Sequence, residues 1–152
     1  MRLNARVDYA LRAVVELASA LGSAARPVTA ERLATAQDIP PKFLESILLQ
    51  LRRAGVINSQ RGPEGGYWLA RPADEISLAE VIRVVDGPLA NVRGHRPENL
   101  GYKGAASSLQ DVWIALRASE RQILDSVTIA DVAASKLPKR VRTLAADPEA
   151  WV

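Results

Sequence analysis

The chain has 152 residues, 48% of them hydrophobic, enough for one buried core and a single domain with an appended element. Its 20 Lys and Arg against 17 Asp and Glu give a net charge of +3, which permits nucleic-acid binding without requiring it. With no cysteine and one histidine, His95, the chain excludes disulfides, thiolate nucleophiles, cysteine-held metals or iron–sulfur clusters, and two-histidine metal sites.

No nucleophile, cofactor loop or catalytic pair stands in a recognisable pattern, so no catalytic residue is assigned and an enzyme ranks last. No apolar run is long enough for a membrane span. The opening stretch, MRLNARVDYALRAVVELASALG, has the arginine and apolar content of a signal peptide. Asp8, Arg12 and Glu16 interrupt it, which favours an amphipathic helix and a cytoplasmic protein.

That first helix is expected from Asn4 to Leu21, burying Val7, Leu11, Val14, Val15, Ala18 and Leu21. After GSAARP, Thr29 is the expected N-cap of a short second helix anchored by Leu33, with Ala30, Ala34 and Ala36 allowing close packing. QDIPP turns the chain. Asp38 is an expected cap, and Pro41 suits a first helical position, where no N–H is needed.

The third helix runs to Ala54 with Gly55 just beyond it, and it buries Leu44, Ile47, Leu48 and Leu51. Its other face carries Lys42, Glu45, Ser46, Leu49 and Arg53. This arrangement fits a helix-turn-helix or an ordinary three-helix core equally well.

VINSQ, RGPEGG and YWLA follow, two β-type runs around a Gly/Pro turn, which read as a hairpin. The glycines match neither G-x-G-x-x-G nor the P-loop, and no helix opens after them. A hairpin directly after a recognition-type helix makes a winged helix. Gly65 and Gly66 are expected to take positive φ and keep the tip thin. Arg61 is placed to enter a minor groove or clamp a phosphate, and Trp68 to face away from Tyr67 and Leu69. Lys42, Ser46, Arg52 and Arg53 can contact phosphates or base edges. Glu45 can accept from a cytosine amine or instead pair with Lys42 or Arg52.

MRLNARVDYALRAVVELA and PPKFLESILLQLRRAGVINSQRGPEGGYWLARPADEISLAEVIRVVDGP, with the helix after them, resemble the Rrf-type bacterial transcriptional regulators. The resemblance spans residues 1–135, and its FLE…L…LR…G…RGPxGGY pattern is specific. It implies a homodimeric winged-helix protein that binds double-stranded DNA, usually as a repressor. It also implies base reading by Lys42, Glu45 and Ser46, minor-groove entry by Arg61, and backbone contacts from Arg2 and Arg52. Leu49, more apolar than such a face requires, either meets a thymine methyl or packs.

The expected fold is therefore mostly α with a small hairpin: a winged helix-turn-helix domain (1–86), a loop (87–106), a dimerisation helix with a short following helix (107–135), and a less ordered tail (136–152). Ser77 and Glu80 should form a capping box before Val81, Ile82 and Val85. Leu109, Val112, Leu116, Ser119 and Ile123 alternate in steps of three and four, a seam for a second copy, with Trp113 beside it. Packing within the same subunit is the alternative. TIAD (128–131) caps the short helix.

Cluster-binding relatives carry three cysteines in the loop, and this chain has none there; Asp8, where some relatives place an acidic ligand, is then a helix-surface charge. In the cluster's place, Arg93, His95, Arg96, Tyr102 and Lys103, facing Asp8, Tyr9 and Arg12 across a dimer, form a candidate site for an anionic metabolite. The alternative is an inert loop with regulation through a partner protein or none. A repressor on a pseudo-palindromic operator, with salt-sensitive binding, is the leading reading. A protein-interaction adaptor on the same fold is the second.

Overall fold

A computed structural model describes residues 2–152. Helix α1 (Ala5–Ser19) is the hub against which α2 (Ala30–Gln37), α3 (Pro41–Arg53), α4 (Leu78–Asp86) and α6 (Ile129–Ala133) pack. Asn4 caps α1 by accepting from the Val7 N–H at 2.9 Å, and its side-chain amide donates to Asp86 at 2.8 Å, tying the start of α1 to the end of α4.

The deepest face of α1 is Val7, Ala10, Ala13, Val14 and Leu17. The expected stripe was turned too far: Leu11, Val15 and Ala18 lie at its half-buried margin. Leu21, past the end of the helix at φ 51°, is 81% exposed. Ala10 and Ala13 sit at the centre of that face because neighbours press on the helix from several sides, and an alanine permits that approach.

Thr29 caps α2 as expected, accepting from the Arg32 N–H at 3.2 Å, and Leu33 is fully buried. Ala34 packs inward while Ala36 faces solvent. Asp38 does not cap α3. It ends α2 in the left-handed region, its N–H donating to the Ala34 carbonyl, while Pro40 stands before α3 without a side-chain cap and Pro41 opens it. Leu44, Ile47, Leu48 and Leu51 are all buried, and Gly55 turns the chain at φ 78°.

Strands β1 (Ile57–Gln60) and β2 (Gly66–Leu69) pair antiparallel, Ile57 opposite Leu69 and Gln60 opposite Gly66. A third extended segment joins them. Val28 and Tyr67 exchange both backbone hydrogen bonds, at 2.9 and 2.8 Å, which anchors the hairpin to the body. Tyr67 and Leu69 pack on the core, and Trp68 lies against Gly22.

Ser77 caps α4 by accepting from Glu80 N–H at 3.1 Å, but the reciprocal half of the expected capping box is absent because the Glu80 carboxylate pairs with Arg71. The complete box forms instead at Thr128 and Asp131, at the head of α6. Thr128→Ala is expected to cost about 1 kcal/mol, read as a lower denaturant midpoint.

Ile129 donates its N–H to the Ile76 carbonyl, and Ile129 and Val127 are buried. The short helix grouped with the dimerisation segment by sequence thus belongs to the head, because its apolar residues return to α1.

Helix α5 (Leu109–Leu124) has no buried residue. The tail is ordered as α7 (Lys139–Ala145) and a short 3-10 turn at Pro148–Trp151, correcting the expectation of a loose segment. Arg140 donates to Gln122 of α5 at 2.6 Å, giving the tail a neighbour that its own sequence does not reveal. No described helix is long and apolar enough to cross a membrane.

Candidate nucleic-acid interface

The buried face of α3 presses its polar face outward, and the hairpin places its tip beside that face. Glu45, Leu49 and Arg52 of α3, Arg61 and Gly65 of the hairpin, and Thr29 at the start of α2 line one open groove of about 440 Å³. Lys42, Ser46 and Arg53 are exposed on α3 outside that lining. Arg2 lies elsewhere, in a groove with Asn4, Asp86 and Asn91. Leu49 is 40% exposed, so it presents a methyl-bearing surface to whatever enters rather than packing inward.

Ser46 is not free. Arg6 of α1 donates to its hydroxyl at 2.9 Å and to the Gln50 side-chain oxygen at 2.6 Å, while the Gln50 amide donates to the Val84 carbonyl of α4 at 2.6 Å. The sequence reading missed Arg6 and Gln50. Their partners are tens of residues away, and no local pattern marks such a link.

Of the two wing glycines, Gly66 takes the expected positive φ and Gly65 does not. Positive φ occurs at Gly62, at 105°, and at Gly66, at 153°. Gly65 is required by space: a Cβ there would stand 2.1 Å from the Gln60 carbonyl oxygen. At Gly66 a Cβ would meet the Val28 carbonyl oxygen at 2.6 Å. Gly65→Ala is expected to open the tip, lowering hydrogen-exchange protection of the hairpin amides while the helical core keeps its protection.

The residues expected to hold an effector are divided within the chain. Asp8 and Arg12 form an ion pair at 2.7 Å, Arg12 also donates to the Gln37 carbonyl, and its guanidinium lies 4.9 Å from the Tyr9 ring centroid. Tyr102 instead accepts from the Trp113 indole at 3.0 Å, and Arg93 and His95 sit exposed in a loop turn closed by Val92 and His95.

Residues 3–135 match the family model Rrf2, described as an iron-dependent transcriptional regulator. The HTH-type transcriptional regulator Rv1287 of Mycobacterium tuberculosis (strain ATCC 25618 / H37Rv) is 50% identical over 97% of this chain and 90% of its own length. The structure of CymR (YrzC), the global cysteine regulator of B. subtilis, superposes with a TM-score of 0.73 at 29% identity, covering 89% of this chain and 98% of that one. That of T. potens IscR gives 0.69 at 26%, covering 100% and 97%.

The iron in the family description does not fit the donors here. The chain has no thiolate, its Asp8 carboxylate is engaged by Arg12, and among the described residues no group of three His, Asp or Glu is placed to hold a metal. The relatives are transcriptional regulators rather than enzymes. With its helix-turn-helix, its wing and a match over most of its length, the chain belongs to the Rrf2 family of winged-helix DNA-binding transcriptional regulators.

Proposed function

We propose that the chain acts in the cytoplasm as a homodimeric repressor of a pseudo-palindromic operator, without an iron–sulfur cluster. The observation that carries this reading is the shared groove: a carboxylate, an apolar side chain and two arginines from α3 and the wing line one concave surface. Such a mixture suits base edges better than a uniformly basic face, because Glu45 weakens non-specific attraction while adding an acceptor for a cytosine amine. Lys42, Arg52, Arg53 and Arg61 supply the phosphate contacts. Leu109, Val112 and Leu116 on α5 are exposed and apolar, which supports a second copy as their cover. Two heads related by a two-fold axis then require half-sites one helical turn, or a multiple of it, apart.

The test is a footprint of the purified protein on its own upstream region at two salt concentrations. Two protected halves related by symmetry, with affinity falling as salt rises, are expected. Equal protection of unrelated duplexes would overturn sequence-specific binding.

A further inference from the structure

We propose that the chain binds a small dianion, a phosphate group or a compact dicarboxylate, in a cleft between α4, the loop after it and α5, and that the recognition helix α3 senses its occupancy. The consequence for DNA rests on the regulator reading above, whereas the binding rests on the cleft alone. The cleft holds about 230 Å³ and is lined by Arg83, Gly87, Pro88, Leu89, Arg96 and Arg117. A cleft of this size suits a phosphate or a four-carbon diacid better than a nucleotide. Three guanidiniums and no carboxylate form its wall.

The charges behind that wall do not cancel it. Arg83 pairs with Asp125 at 3.0 Å, Arg117 with Glu98 at 2.5 Å, and Arg121 also donates to Asp125 at 3.1 Å. Arg96 is exposed and acts on Glu98 only at longer range, outside the direct ion pairs of Arg83, Arg117 and Arg121. The three wall arginines, Arg83, Arg96 and Arg117, against Glu98 and Asp125 leave a surplus of one positive charge. The hydrogen bond from Arg117 holds Glu98 below the ordinary carboxylate range, and the one from Arg83 does the same for Asp125. Both carboxylates therefore stay ionised at neutral pH. A guanidinium carries five donors, so Arg83 and Arg117 keep several after their ion pairs are made. Leu89 and Pro88 add a short apolar wall that suits the carbon backbone of a diacid.

The cleft has a route to the DNA-facing helix. Val84, the neighbour of Arg83, accepts the Gln50 amide at 2.6 Å; Gln50 accepts from Arg6 at 2.6 Å; and Arg6 donates to Ser46 at 2.9 Å. An anion engaging Arg83 on α4 and Arg117 on α5 together biases the position of α4, and this chain of bonds carries the bias to α3.

The test measures binding of inorganic phosphate and of succinate to the whole protein by calorimetry, against chloride at matched ionic strength. Operator affinity is then measured in the same buffers. Saturable binding is expected, weakened about tenfold in Arg96→Gln and in Arg117→Gln. Arg96→Gln removes no direct ion pair, only the longer-range attraction of Arg96 for the exposed Glu98, so its thermal midpoint without anion should lie close to that of the native chain. Phosphate alone, or succinate alone, identifies the ligand class. Operator affinity should shift with the bound anion in the native chain and stay constant in Arg96→Gln.

No saturable binding of either anion, or undiminished binding in both variants, overturns the site. Saturated binding with unchanged operator affinity overturns the coupling. A protein that binds the anion and no operator overturns the regulator reading and leaves the site standing.

Discussion

Arg61→Ala is expected to weaken operator binding about 10- to 100-fold with no change in thermal midpoint, the cost of one charge-assisted contact of roughly 1.5–3 kcal/mol. Arg61 is exposed at the base of the wing and lines the groove that also holds Glu45 and Arg52, so its loss should remove the proposed DNA contact and leave the core intact. Competition between the operator and a scrambled duplex at one salt concentration separates its two candidate roles. A phosphate clamp loses affinity equally on both duplexes. An arginine in the minor groove loses more on the operator, because groove width and potential depend on sequence. Glu45→Ala should do the opposite on scrambled DNA, holding or raising affinity there, while discrimination at one base pair relaxes by about 1–3 kcal/mol. Native-like binding by both variants would remove the groove as the DNA interface.

The parts of this interface differ in how readable they were. The buried face of α3 stood out because four large apolar residues keep the helical period, and the structure buries all of them. The hairpin was marked by its turn residues, and its register follows. Helix α1 was harder: Ala10 and Ala13 carry little hydrophobic weight in a pattern, yet tight packing puts them deepest. Gly65 was identified as necessary for the wrong reason, since a steric demand from the Gln60 carbonyl is invisible until the tip is folded. Ser77 and Glu80 have the spacing of a capping box, but Arg71 draws the carboxylate away, and a nearby opposite charge outweighs one backbone hydrogen bond. Residues that meet across long sequence separations, Arg6 with Ser46 or Arg83 with Asp125, leave no local trace at all. The α3 and hairpin walls of the groove could be anticipated from their own segments. The links behind it could not.

The proposed second copy is open to the sharpest disruption. Within one chain, Leu109, Val112 and Leu116 of α5 are 40%, 53% and 40% exposed, while Trp113 and Ile123 are half-buried. Burying a leucine is worth about 1.5–3 kcal/mol, and a two-fold interface loses it on both sides at once. Leu116→Asp replaces that gain with a charge that must be desolvated, so the proposed dimer should dissociate at micromolar concentration, read by sedimentation. The monomer should still fold, because Leu116 adds nothing to the buried core of the head. Its operator affinity should fall by about 100-fold or more, since joining two heads is worth roughly 10²–10⁴ in avidity. Ile114→Asp is the matched control: Ile114 is 41% exposed but sits two residues away, on the opposite side of the helix. Dimer retained in Ile114→Asp and lost in Leu116→Asp would assign the contact to the 109–112–116 row. A Leu116→Asp chain that stays dimeric would move the contact off this face of α5, and the half-site geometry proposed for the operator would have to be rebuilt around a different axis.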